Sequence, residues 1–281
     1  MKAISCFLFL LIYCTSVTQA QTIEVKTIAP GVIKMAVGIP DKFSPYNLCT
    51  EKPRVEELKA LNSKDLPFSL KDVKVEINER GVQVRVPLAN DEQLYGFGMQ
   101  IGSFEQRGLK KKPIVNDNPV SNIGFTHAPE PFYVSTAGYG VLINTSRYVT
   151  FLCGSNQELV QQSTETKNDN NLKFSPEELY AQQLPKSGAV WVDVPNAKGV
   201  EIFFFQGPTL KESVQRYNLF SGGGALPPLW GLGIKYRVKG DFDQQGVMKM
   251  ANYFRANKIP CDVFGLEPGW HSNSYSCSYV W

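Results

Sequence analysis

Near its C-terminal end the 281-residue chain carries Glu267-Pro268-Gly269-Trp270-His271, directly after the apolar run Cys261 to Leu266. A carboxylate accepts hydrogen bonds from sugar hydroxyls, and an indole offers a flat platform to the C–H face of a pyranose ring. Pro268 stiffens the backbone between the two and Gly269 frees it, so acceptor and platform are set side by side. In α/β barrels, residues just past the C-terminal ends of strands face the site. The plainer alternative is a carboxylate capping a loop above a buried Trp. Tyr236 and Arg237 end an earlier apolar run and are candidates for the same pocket. Core packing or a surface ion pair is the alternative for each.

The other reactive residues argue against a metal or a cofactor. Cys49, Cys153, Cys261 and Cys277 contain no C-x-x-C pair, and His127 and His271 are not spaced with them as zinc ligands. Four cysteines allow three disulfide pairings and sequence does not select among them; buried or unpaired thiols are the plain expectation.

The elements that would position the Glu–Trp pair change in kind along the chain. Trp230 to Tyr236 reads as a buried strand, and Gly246 to Asn257 as a helix with Val247, Met250, Ala251 and Phe254 on one face and Asp243 near its start. Lys258-Ile259-Pro260 ends that helix, and Cys261 to Leu266 is a second strand. Strand, helix, strand implies parallel strands joined by a right-handed crossover. Such a pair cannot cover both faces of its own sheet. A (β/α)8 barrel needs roughly 250 residues, and the stretch from Leu229 to Trp281 supplies about a fifth of that. The expectation is therefore a barrel cut short, with the remainder beyond Trp281.

Upstream, short strands dominate. Val73 to Ile77 and Val82 to Val86 alternate apolar and polar residues around the turn Asn78-Glu79-Arg80-Gly81, a hairpin with one wet face. Val32 to Val37, Pro131 to Ser135, Gly140 to Asn144, Val149 to Leu152, Val190 to Val194 and Glu201 to Phe205 read alike, whereas the polar run Gln161 to Asn171 reads as a surface loop. Many short strands with Gly, Pro and Asn turns predict a β-sandwich. Pro208 then suits a first helical turn, with Leu210, Val214, Tyr217 and Leu219 as its apolar spacing through Phe220. Ser221 to Pro228, with three glycines and two prolines, reads as a junction. The organisation expected is a leader over 1–20, a sandwich over 21–220, a junction over 221–228 and the first βαβ portion of a barrel over 229–281.

The leader rests on Lys2, the apolar run Ile4 to Tyr13 and small residues ending at Ala20. That is the pattern of a cleaved secretory signal peptide, so a secreted or periplasmic protein is expected. Its apolar run is shorter than the roughly 20 residues a bilayer span needs. A lipoprotein would modify Cys14, but Tyr13 before it is bulky where such sites want a small residue. Cleavage removes one cation from a formal net charge of +3, which excludes a strongly basic nucleic-acid binder. Lys110-Lys111-Lys112 before Pro113 reads as a solvated turn. The 17 Phe, 12 Tyr and 4 Trp could fill a core or line a sugar site, and composition does not choose between them.

Taken in order, these residues resemble glycoside hydrolase family 31 over nearly the whole mature chain. The resemblance lies in Leu94-Tyr95-Gly96-Phe97-Gly98, Val115-Asn116-Asp117, Pro131-Phe132-Tyr133, Tyr139-Gly140-Val141-Leu142 and Leu226-Pro227-Pro228-Leu229-Trp230-Gly231-Leu232-Gly233. It implies a galactose-mutarotase-like N-terminal β-sandwich leading into a (β/α)8 barrel, and a retaining, exo-acting α-glycosidase with an oligosaccharide or glycoside as its partner. Both catalytic aspartates of that family sit on later barrel strands, so none is assigned in this fragment. What carries over is substrate binding by Glu267 and Trp270, and by Asp117 on a sandwich loop, where an Asn-Asp turn is the alternative. Glucose-acting members usually carry an Asp-rich end to the second strand. Here Gly265-Leu266-Glu267-Pro268-Gly269-Trp270, followed by Tyr275 to Trp281, looks like the branch acting on galactose-type sugars. The competing reading is a non-catalytic carbohydrate-binding protein or pseudoenzyme.

Overall fold

Period-two alternation and turn glycines generate most of the fold. The structure is a computed structural model and describes residues 22–100, 103–115, 126, 128–155 and 186–267. Its strands are β1 (Ile23–Ala29), β2 (Val32–Gly38), β3 (Lys74–Asn78), β4 (Gly81–Pro87), β5 (Leu94–Gly96), β6 (Lys110–Lys111) and β7 (Phe132–Ser135). They continue with β8 (Tyr139–Asn144), β9 (Thr150–Ser155), β10 (Lys186–Pro195), β11 (Gly199–Gln206), β12 (Lys235–Arg237) and β13 (Val263–Gly265). The helices are α1 (Pro45–Leu48), α2 (Val55–Ala60), α3 (Leu210–Phe220) and α4 (Gln244–Ala256). The chain divides after Gly223 into two compact units.

The first unit is a sandwich of two antiparallel sheets, ordered β1-β2-β11-β8-β7-β5 and β3-β4-β10-β9-β6. Alternation explains which side chains meet. Val84, Val86, Val192 and Phe151 face Met35, Val37, Ile143, Ile202 and Phe204 across the sandwich. In β11 the run Ile202-Phe203-Phe204-Phe205 is apolar throughout because both of its faces are covered. Ile202 and Phe204 point between the sheets, while Phe203 and Phe205 point outward under α2 and α3, against Leu58 and Phe220. Each fully buried Phe stabilises the unit by roughly 1.5–3 kcal/mol. The β3–β4 hairpin closes at Gly81, whose φ of 139° only glycine adopts readily.

Three sequence expectations change here. Pro208 precedes α3 instead of lying in its first turn; Thr209 is the cap, its hydroxyl accepting from the Lys211 N–H at 3.2 Å. Val214 is 45% exposed, and α3 buries Ser213, Arg216 and Phe220 instead. The cause is Arg216, whose guanidinium donates to the carbonyls of Pro30, Leu58, Leu61, Asn62 and Gln206 and so sets the rotation of the helix. The lysine run is not a solvated turn: Lys110 and Lys111 form β6, paired to β9. Alternation along that strand turns Lys111 inward, where its ammonium donates to Gln100 Oε1 at 3.0 Å. Burial pushes the Lys111 ammonium below the ordinary lysine value.

In the second unit β12 and β13 pair in parallel, Lys235 with Val263, Tyr236 with Phe264 and Arg237 with Gly265, and α4 connects them. Asp243 caps α4, accepting from the Gly246 N–H at 2.7 Å. Val247, Met250, Ala251 and Phe254 are half-buried on one face, whereas Met248 and Tyr253 are exposed. The strand expected over Trp230 to Tyr236 is shorter than that. Pro228 caps a 3-10 turn at Leu229–Leu232, and Trp230 and Leu232 are exposed. Only the three residues of β12 have ladder partners in β13. The second strand likewise contracts from Cys261–Leu266 to Val263–Gly265. The leader, the polar run at 161–171, Asp117, Trp270, His271 and Cys277 lie outside the described residues. Among the described residues no helix is long and apolar enough to cross a membrane.

Candidate functional site

The C-terminal ends of β12 and β13 open side by side, as parallel pairing requires, and a cleft of about 640 Å³ forms there. Val238 to Gly240 follow β12, Leu266 and Glu267 follow β13, and Asp243 and Val247 come from the start of α4. Such crevices beyond the carboxyl ends of parallel strands are where open α/β sheets take ligands.

Glu267 and Asp243 are the acidic groups lining this cleft. The Arg237 guanidinium grips it with two nitrogens, Nη2 lying 2.8 Å from Oε2 and Nε contacting Oε1. The Arg237 side chain is 73% exposed and that of Glu267 24%. So exposed a pair contributes at most about 1 kcal/mol to stability. Its consequence is orientation: a fork of two bonds fixes the carboxylate plane and leaves its remaining lone pairs for donors in the cleft.

Tyr236 goes elsewhere. Neighbouring side chains on a strand point to opposite faces, so when Arg237 faces Glu267, Tyr236 faces α4. Its ring lies 4.9 Å from Phe254 and 5.5 Å from Phe264, measured between centroids. Of the five candidate binding residues, then, the structure brings Glu267 and Arg237 together and packs Tyr236 against the helix. Asp117 and Trp270 lie outside the described residues. Asp243 lines the cleft as well. The sequence reading used it only as a helix start; an Asp opening the helix after a strand end was the signal that it also borders the crevice.

Among the described cysteines, Cys49, Cys153 and Cys261 are free thiols. Burial pushes the Cys153 thiol well above its ordinary value, so it stays protonated and inert.

No family model matches the chain. It is 28% identical over 195 residues to the α-xylosidase XylQ of Lactiplantibacillus pentosus, covering 68% of this chain and 21% of that protein. An α-xylosidase of Emericella nidulans is 24% identical over 194 residues, again 68% of this chain and 21% of the relative. In fold, the chain matches a glycoside hydrolase family 31 dextranase of Flavobacterium johnsoniae complexed with glucose, with a TM-score of 0.58 and 20% identity. That match covers 90% of this chain and 32% of the dextranase. These relatives in sequence are α-xylosidases, and the likeness in fold is to a family 31 enzyme. The matched region is about a fifth of the length of the curated relatives.

Proposed function

We propose that the chain is the N-terminal part of an exported, retaining α-glycosidase of family 31, acting on the terminal sugar of a glycoside or oligosaccharide. The observation that carries this reading is Glu267, oriented by Arg237 in a cleft at the C-terminal ends of two parallel strands. In a closed barrel the face turned away from the helices points inward, and that is the face Arg237 takes opposite Tyr236. The sandwich over 21–220, the junction over 221–228 and the barrel start over 229–281 follow from the same reading, as does the leader ending at Ala20.

Glu267 and Arg237 are assigned to substrate binding. Trp270 is the ring platform three residues on, and Asp117 a contribution from the sandwich. Retaining hydrolysis needs a nucleophile and an acid/base about 5–5.5 Å apart. Both are placed on later strands, so the chain by itself is expected to be inactive. Turnover of any p-nitrophenyl α-glycoside by the purified chain overturns that part of the reading. The strand end at Gly265 to Trp270 favours a galactose-type sugar, while the names of the relatives favour xylose or glucose. A panel of α-xyloside, α-glucoside, α-galactoside and α-N-acetylgalactosaminide separates them.

The test begins with the codons after Trp281. An open frame encoding further strand–helix units with two aspartates on them supports the enzyme, and a stop codon supports a carbohydrate-binding protein instead. In the longer protein, Glu267→Ala is expected to lower kcat/KM roughly 10- to 100-fold, as loss of a hydrogen bond to a charged group does. An unchanged kcat/KM removes Glu267 from the site.

A further inference from the structure

A groove crosses the outer face of the five-stranded sheet in the first unit, and nothing in the reading above uses it. The pleat sets one outward row from four pairings: Lys74 opposite Arg85, Arg85 opposite Trp191, Trp191 opposite Leu152, and Leu152 opposite Lys110. The next outward row is Glu76, Gln83, Asp193 and Thr150. Two depressions of about 350 and 460 Å³ adjoin at Arg80 and Gln83, which line both. Strands lie roughly 4.8 Å apart, so the groove reaches across several strands and is long enough for a chain of linked rings rather than one small molecule.

The deeper end has a defined chemistry. Trp191 is lined there by Arg80, Lys110, Lys112 and Asp193, three cations against one carboxylate. The indole is locked in place: its N–H donates to Ser187 Oγ at 3.0 Å, and the Arg85 guanidinium carbon stacks 3.7 Å from the ring centroid. Trp191 is half-buried and lines this depression, while Arg85 lines the neighbouring one. None of the four charged groups is in a salt bridge among the described residues. Burial raises the Asp193 carboxyl, and burial followed by the neighbouring Lys112 lowers the Lys110 ammonium. Lys110 and Lys112 are half-buried, and the single carboxylate, Asp193, feels both Arg80 and Lys110, so the cluster holds more positive than negative charge.

We infer that this groove binds an anionic oligosaccharide, with a sulfate or carboxylate among Arg80, Lys110 and Lys112 and a pyranose ring on Trp191. Asp193 accepts from a hydroxyl of the same sugar. The groove lies within the first unit and does not rest on the glycosidase reading; it would hold the protein on an acidic glycan whether or not the chain belongs to an enzyme.

Isothermal titration of the full chain with tetragalacturonate, a chondroitin sulfate tetrasaccharide, neutral maltotetraose and a single-stranded oligonucleotide tests this. At least one charged sugar is expected to bind about tenfold tighter than maltotetraose, with affinity falling as salt rises. Binding by tetragalacturonate identifies a carboxylate ligand; binding by the chondroitin fragment, which carries both carboxylates and sulfates, in the absence of binding by tetragalacturonate identifies a sulfate. Trp191→Ala is expected to weaken binding about tenfold, the scale of losing one aromatic contact. Arg80→Gln and Lys112→Gln should remove the preference for charge and its salt dependence; they carry the test if Trp191→Ala does not fold. No binding of either charged sugar by the folded protein, equal binding of maltotetraose or the oligonucleotide, or unchanged binding by both glutamine variants overturns it.

Discussion

Arg216 is 1% exposed and is held by backbone carbonyls. Its Nη1 lies 2.6 Å from the Pro30 carbonyl and its Nη2 2.8 Å from that of Asn62, so one side chain ties the loop after β1 and the segment after α2 to α3. Lysine has three donors on a point charge and cannot serve five acceptors in a plane. Arg216→Lys and Arg216→Met are therefore both expected to cost about 3 kcal/mol, read as a lower urea midpoint. Equal midpoints in variant and parent would show that the carbonyls find other donors. Lys111 presents the opposite case. Because burial lowers its pKa, the folded chain gives up a proton that the unfolded chain keeps at the same pH. Stability from this group therefore rises as pH climbs toward the ordinary lysine value, and the penalty is largest near neutrality. Lys111→Met is expected to stabilise the protein by about 1 kcal/mol at pH 7 and by less at pH 10. Urea titrations at the two pH values check this, and a difference that grows with pH contradicts it.

At the scale of elements, the turn after β5 shows how a short motif depends on distant backbone. Gly96, Phe97 and Gly98 take φ values of 128°, 64° and 84° in succession. Phe97 accepts a conformation that side chains rarely adopt because its ring is fully buried, 4.9 Å from Phe151 and 5.6 Å from Tyr133. A Cβ on Gly98 would lie 1.7 Å from the Ala128 carbonyl oxygen, which cannot move without shifting the segment before β7. Gly98→Ala is expected to cost about 3 kcal/mol or to prevent folding, and a thermal midpoint within a few degrees of the parent would refute the assignment. Other elements were readable from local pattern alone: the β3–β4 hairpin, β7, β8, β11 and α4 lie within two residues of the expected bounds, whereas β9 and β10 run further, to Thr150–Ser155 and Lys186–Pro195. The helices α1 and α2, of four and six residues, were not, because a period of 3.6 needs several turns to register.

At the scale of the molecule, the two units differ in how much they bury. Both apolar clusters lie within the first unit, whereas Val238 is the sole hydrophobic residue after Gly223 that is fully buried among the described residues. Among the described residues two parallel strands and a helix leave a sheet face uncovered, with little apolar area to offset chain entropy. Residues 22–223 expressed alone are expected to unfold in one cooperative transition. Residues 224–281 alone are expected to exchange their amide hydrogens within seconds. A cooperative transition in the shorter piece would show that it holds a core of its own.

Local properties were legible without coordinates. Alternation, turn glycines, the Asp243 cap and the strand–helix–strand order depend on residues a few positions apart, so they specified the hairpins, α4 and the strand end that bears Glu267. Partnership between distant residues was not. Arg237 could have packed, paired or faced solvent until the parallel register of β12 and β13 put it beside Glu267, and the same register turned Tyr236 to the helix. Lys111 looked like its neighbours until pairing with β9 turned it inward, and nothing in the apolar spacing of α3 singled out Arg216, which carbonyls from Pro30 and Asn62 hold. Which side of a strand or helix faces the interior, and what waits there, is decided by segments far away in the chain, and only packing brings those together.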